Sequence, residues 1–250
     1  MTFSFVYPSA KDFSSFVSAL SKVTDNFVLN ITEEGVNGRY VEPDTKSMMI
    51  ILDIPKTYFS SFEIEKPLSV ELNLSSLKKV LLKAKSKTAT IEVAETDSGI
   101  RITVRDQKVG TKSNIYLASN KGDVNLGAEP KVEHTVKFSL ESKVVERIAG
   151  DSSVIGEEVT VKGEGEEVMF YTSEEGKEYT AILRKDKPLK YLELSDIAES
   201  KFRVELIKEG IDVVSQFSDV EVNIGSNIPM KLRSEADAGG QFTVWIAPVV

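Results

Sequence analysis

The chain has no cysteine, one histidine and one tryptophan in 250 residues. Without cysteine there are no disulfides, no thiolate metal sites and no cysteine nucleophile, a composition that fits an intracellular protein. A lone histidine, His134, gives a histidine triad or a multi-histidine metal site little to build on, so it reads as a satisfied or solvated ring. Long apolar runs are missing too: the longest aliphatic stretch, MMIIL at 48–52, is far too short to span a bilayer. The start, MTFSFVYPSAKD, has no basic segment followed by an apolar one, which predicts no secretory signal and a cytoplasmic location. The triplets beginning at Asn30 and Asn73 are then chance matches to a glycosylation signal. No phosphate-binding G-x-x-x-x-G-K-[ST] loop occurs, and GEGEEV (163–168) departs from the dinucleotide pattern at Val168, reading as an acidic hairpin turn. Glu157, Glu158, Glu164, Glu166, Glu167, Glu174, Glu175 and Glu178 lack the spacing of a calcium loop and read as a solvated acidic surface. Expected, therefore, is a protein with no catalytic residues, no metal and no cofactor.

What is present is a strong charge imbalance, with 31 Lys and Arg against 39 Asp and Glu and a net charge of −8. Against that background NLSSLKKVLLKAKSK (73–87) holds five lysines and no acid. Treated as a helix from Ser75, it places Leu77, Val80, Leu81 and Ala84 on one face and Lys79 and Lys83 on the opposite one, with Lys78 beside them. A solvated helix face explains such a run; a surface for a polyanion explains it more sharply. The segment SAKDFSSFVSALSKV (9–23), with Ser9 as N-cap, repeats the design. Phe13, Phe16, Val17 and Leu20 form its core stripe, and Lys11, Ser15, Ser18 and Lys22 line the other side, with Asp12 adjacent. Two such helices on one sheet make a positive floor in an acidic molecule. Sparse lysines meet phosphates without reading bases, so the expected binding is weak, salt-sensitive and sequence-blind.

The apolar pattern occurs twice. A shift of 132 residues sets Phe13 on Val145, Phe16 on Ile148, Leu29 on Val161, Leu72 on Val204, Leu81 on Val213 and Ile100 on Leu232. A duplicated domain follows. Each half reads strand, helix, strands, helix, strands, with second-half helices near 141–149 and 204–217. The expected fold is of the α+β class: two similar domains of antiparallel sheets with two helices each, at 1–118 and 135–250, joined by the polar connector SNKGDVNLGAEPKVEH (119–134). On the second-half helices Lys143, Arg147 and Lys208 face outward, but Glu146 and Asp212 share the surface.

EEGVNGRYVEPD (33–44), NLSSLKKVLLKA (73–84), VIGEEVTV (154–161), SNIPMKL (226–232) and the ending FTVWIAPVV (242–250) together resemble the archaeal and eukaryotic sliding clamps, the proliferating cell nuclear antigen (PCNA) family, along the whole chain. The chain resembles a subunit of the crenarchaeal heterotrimeric clamps more than it does a eukaryotic clamp. The resemblance implies a DNA clamp fold, three subunits closing a ring, helices lining the hole and duplex DNA threading it. Carried over by position, Lys11, Lys22, Lys79, Lys83 and Arg147 match DNA-facing sites. Gly150, Glu209 and Gln216 stand where the family often has basic residues, so the basic charge is lopsided. The implied partners are double-stranded DNA and two further clamp subunits (paralogues in a heterotrimer, or copies in a homotrimer). DNA polymerase, clamp loader, flap endonuclease and DNA ligase would dock through short peptide motifs, and no membrane is involved. The implied location is the cytoplasm, at the nucleoid. A peptide groove is expected from Val41, Met48, Leu126, Ala128, Pro229, Trp245, Ile246, Ala247 and Pro248. Two strands are expected with an open edge, TKSNIYLA (111–118, with Ser113, Ile115 and Leu117) and KEYTAILRK (177–185, with Tyr179, Ala181 and Leu183); an open edge recruits another strand and supports head-to-tail closure. A checkpoint-type clamp and an acidic two-domain enzyme are the competing readings.

Overall fold

The computed structural model describes residues 2–81, 86 and 88–249. The chain divides into two compact units. Unit 1 comprises Met1–Tyr40, Ile51–Gly127 and Ala236–Gln241; unit 2 comprises Val41–Ile50, Ala128–Glu235 and Phe242–Val250. The chain passes from one unit to the other at Gly127–Ala128, inside the expected connector, while two short segments belong to the unit of the opposite half.

In chain order the first half gives β1 (Phe3–Tyr7), α1 (Ala10–Leu20), β2 (Asn26–Thr32), β3 (Gly35–Val41), β4 (Met48–Pro55), β5 (Ser61–Ile64), β6 (Leu68–Asn73), α2 (Leu74–Leu81), β7 (Ala89–Thr96), β8 (Gly99–Asp106), β9 (Thr111–Ala118) and the two-residue β10 (Lys121–Gly122). The second half gives β11 (Val136–Glu141), α3 (Ser142–Ile155), β12 (Glu158–Glu164), β13 (Glu167–Glu174), β14 (Lys177–Lys185), β15 (Pro188–Leu189), β16 (Tyr191–Leu194), β17 (Ala198–Arg203), α4 (Val204–Val214), β18 (Asp219–Ile224), β19 (Met230–Glu235) and β20 (Gln241–Ile246). Unit 1 holds a sheet ordered β5-β1-β7-β8-β9 and the run β10-β6-β2-β3-β4. Unit 2 repeats them as β16-β11-β18-β19-β20 and β17-β12-β13-β14, the last extended by β15. The duplication read from the apolar positions is therefore a duplication of strand order.

Local chemistry explains the elements. Ser9 Oγ accepts the Asp12 N–H at 3.1 Å and caps α1, a contact worth about 1 kcal/mol. Phe13, Phe16, Val17 and Leu20 of α1 are buried, as their three-and-four spacing requires. In β1, Phe3, Phe5 and Tyr7 alternate inward. The core that Phe3, Phe5 and Phe13 share with Leu77, Val93 and Ile102 leaves a void of only about 10 Å³, which is close-packed. The α2 helix starts one residue before the expected Ser75, because Asn73 Oδ1 accepts the Ser76 N–H at 2.9 Å and acts as the cap. Its described part buries Leu74, Leu77 and Leu81; Ala84, Lys83, Lys85 and Lys87 lie outside the described residues.

In unit 2, α3 runs past the expected end near 149 to Ile155. Gly150 stays helical, with Ser153 Oγ donating to its carbonyl at 2.7 Å, and extended Gly156 ends the helix. The α4 helix stops at Val214, short of 217. Gly210 lets it lie close on the sheet: a Cβ there would come 3.1–3.3 Å from Val244, Ile246 and Leu232 side chains.

Candidate nucleic-acid and partner interfaces

In unit 1, Lys11 on α1 and Lys79 on α2 are exposed on the sides opposite the buried stripes, and Lys78 is half-buried. Lys22 lies just beyond α1 in the following turn and is exposed. Asp12, the one acid on this face, is turned aside: its Oδ2 accepts the Ala238 N–H at 3.1 Å. A helix-borne cationic surface results. Lys83, the remaining expected member, is outside the described residues.

In unit 2 the corresponding face is mixed. Lys143 and Arg147 on α3 and Lys208 on α4 are exposed, but so are Glu146, Asp151 and Glu205. A groove of about 530 Å³ along α4 is lined by Glu157, Glu158, Glu205, Glu209 and Asp212, opposed by Arg203 and Lys208. Burial, then the neighbouring Glu205, Glu42 and Asp212 charges, push the Glu209 carboxyl above its ordinary range. Among the described residues no group of three or more His, Asp or Glu is arranged to hold a metal ion.

The strand edges come next. β9 ends its sheet, paired on one side with β8 in the register Ile115↔Ile102. Ile115 and Leu117 are half-buried, Ser113 is exposed, and Tyr116 on the other face is 67% exposed. Beside β9 a groove of about 460 Å³ is lined by Lys79 and Val80 of α2 and by Ser113 and Ile115. The outer edge of β14 is covered at one end only, where β15 pairs with Arg184 and Lys185. Tyr179 and Ala181 are half-buried. Leu183 pairs opposite Val168 and is 4% exposed, its side chain turned to the core because the strand alternates with period two, which leaves only its main chain for an edge contact. Ile182 on β14 and Val154 at the end of α3 are also exposed.

The expected groove residues separate by burial. Val41, at the end of β3, and Leu126 are exposed, as is Ala128; Pro229, Ala247 and Pro248 are half-buried. Met48, Trp245 and Ile246 are corrections, since each is turned into the core as part of β4 or β20 and offers a partner almost no surface. Trp245 instead organises a polar cluster in unit 2. Its Nε1–H donates to Glu129 Oε2 at 3.2 Å, the His134 ring stacks on it at 5.7 Å, and Lys231 Nζ lies 5.2 Å from its ring centre. His134 Nε2 lies 2.8 Å from the Pro229 carbonyl oxygen, and burial holds its pKa below the ordinary histidine value. The reading of His134 as a satisfied ring agrees with this. No helix among the described residues is long and apolar enough to cross a membrane.

A duplicated unit of antiparallel strands with two helices each is the architecture of the DNA clamps. The solved PCNA2–PCNA3 complex from Sulfolobus tokodaii has the same fold, with a TM-score of 0.83 at 22% identity over 98% of both chains. Comparison with family models returns no match. Relatives are nevertheless similar end to end: DNA polymerase sliding clamp 1 of Saccharolobus solfataricus is 44% identical over 247 residues, covering 98% of this chain and 99% of that one. DNA polymerase sliding clamp 2 of Sulfurisphaera tokodaii is 43% identical over 242 residues, 97% of each. The chain belongs to the DNA polymerase sliding clamp family.

Proposed function

We propose that the chain is one subunit of a ring of three that encircles duplex DNA without sequence recognition and tethers replication and repair enzymes to it. The full-length likeness to named DNA polymerase sliding clamps carries this reading. In it the cationic face of Lys11, Lys22 and Lys79, with Lys83, turns to the DNA, and Arg147 adds a contact from unit 2. Topology supplies processivity: a closed ring cannot leave the duplex sideways, so a few phosphate contacts suffice and permit sliding. The acidic remainder disfavours DNA elsewhere on the surface.

The open edge of β9 and the mostly open edge of β14 pair between subunits, with Ser113, Ile115 and Leu117 meeting Tyr179 and Ala181. The chains joined to it are two paralogues, in the manner of the solved PCNA2–PCNA3 complex from Sulfolobus tokodaii, or copies of this one. Clients such as polymerase, clamp loader, flap endonuclease and ligase dock by a short helical peptide on Leu126, Ala128, Val41, Pro229 and Ala247–Pro248. The chain performs no chemistry of its own in this role, and it acts in the cytoplasm at the nucleoid.

Polymerase extension on primed circular and on linear DNA tests the reading, with the loader present and the chain supplied alone or with paralogues. Stimulation on the circle that is lost when the circle is cut is the expected result. Equal stimulation on both templates excludes a topological clamp.

A further inference from the structure

The connector is not a free loop around Leu126. Asn30 lies on the face of β2 that also carries Val28, yet Val28 is 41% exposed and Asn30 only 2%. What covers Asn30 is the connector backbone. Its Oδ1 accepts the Asn125 N–H at 3.0 Å, and its Nδ2 donates to the Asn125 carbonyl at 3.0 Å and to Asn37 Oδ1 at 3.2 Å. One buried amide thus holds both main-chain groups of a residue 95 positions away. The turn that follows is closed by the Gly127 N–H donating to Asn125 Oδ1 at 3.2 Å. Gly127 has φ +59°, a conformation that favours glycine, and a Cβ there would press on the tip of the Arg39 side chain at 2.5 Å. Two residues further along the chain, and within unit 2, Glu129 accepts the Trp245 indole N–H. Leu126, 50% exposed, therefore follows directly on an anchored residue of unit 1, and Ala128 directly precedes an anchored residue of unit 2.

A buried asparagine on a strand is costly unless its amide is satisfied. Val or Thr would serve the strand alone. We propose that Asn30 and Glu129 are positioning residues for client binding: each anchor, on its own unit, orders the connector residues next to it before a peptide arrives. This rests on the reading of Leu126 and Ala128 as part of the client groove. A segment already ordered does not lose its backbone freedom on binding, and ordering about three residues accounts for a tenfold or greater difference in affinity.

The test uses the full chain, titration calorimetry, backbone hydrogen exchange and a synthetic peptide with the client motif that the clamp resemblance implies: a glutamine, an aliphatic residue and two aromatics on one helical turn. Asn30→Ala and Glu129→Ala should each weaken the peptide about tenfold and speed exchange at residues 125–129. Glu129→Gln, which keeps an acceptor for the indole N–H, should restore both. Exposed Glu129 carries the same test should Asn30→Ala fail to fold. Faster exchange with unchanged affinity overturns the proposal, as does unchanged exchange in the alanine variants. A Leu126→Glu chain that binds as well as wild type, or a wild type that does not bind, overturns the groove itself and this proposal with it. That failure is told apart because the exchange data still report whether the anchors hold.

Discussion

On α1 and α2 the exposed cations Lys11 and Lys79 stand with Lys78, and their one acid, Asp12, is engaged by the Ala238 N–H. On α3 and α4 the cations Lys143, Arg147 and Lys208 share their surface with Glu146, Asp151, Glu205, Glu209 and Asp212. Two units with one strand order have kept the same buried stripes and diverged on the faces that packing leaves open. Burial constrains side chains through close contact, whereas exposed charge changes at small cost to stability. One copy of the fold can then serve a polyanion while the other serves different contacts.

The edges give the sharpest way to break the comparison. Ile115→Pro in β9 introduces a residue that a strand ladder does not accommodate, and subunit association should fall by two orders of magnitude or more. Native mass spectrometry with and without paralogues reads the result, and a ring that survives shows that unit 1 does not supply this edge. Next in size is charge reversal. Lys11→Glu with Lys79→Glu should lower DNA association more than tenfold at moderate salt, while Arg147→Glu alone has a clearly smaller effect. Equal losses would make the two faces equivalent. The neutral Lys79→Ala should instead reduce the slope of log affinity against log salt by about 1.

Removing the acids of α4 should make unit 2 resemble unit 1. Glu205→Gln with Glu209→Gln is expected to raise DNA affinity severalfold, measured by fluorescence anisotropy with the assembled clamp. The smallest effect is on stability. Glu209 has a raised folded pKa, so its folded state holds the proton more tightly than the unfolded chain. Its relative stabilisation is complete below about pH 4.5, the ordinary value, and is lost as pH rises through the raised one. Glu209→Gln should therefore stabilise the fold at pH 7 by less than about 1 kcal/mol for this part-exposed group, read as a small rise in Tm, and leave Tm unchanged at pH 4. A gain of equal size at both values would assign the effect to packing.

Much of this division is legible from residue order. The stripe of Phe13, Phe16, Val17 and Leu20 gives the buried side of α1 and, by subtraction, the exposure of Lys11. Register-matched apolar positions give the duplication. What the order of residues does not carry is depth. Leu183, Met48, Trp245 and Ile246 belong to strands near expected interfaces, but which face of a strand is turned inward follows from the pairing partner, as with Leu183 opposite Val168. Asn30 was invisible for a related reason: its partner is 95 residues away, and nothing near it marks a buried amide. The end of α3 misled because Gly150 stays helical there.

The β9 edge also bears on the fate of a subunit made in excess. Among the described residues no strand pairs with the outer side of the eight-residue β9, and Tyr116 is largely exposed beside it. Such an edge accepts any strand of suitable register, including one from a partly unfolded chain. An orphan subunit is thus a seed for aggregation, restrained on this strand chiefly by the charge of Lys112. Should β9 pair with another chain, as proposed, making the two in step removes that hazard, and in the laboratory co-expression should yield more usable chain than separate purification and mixing.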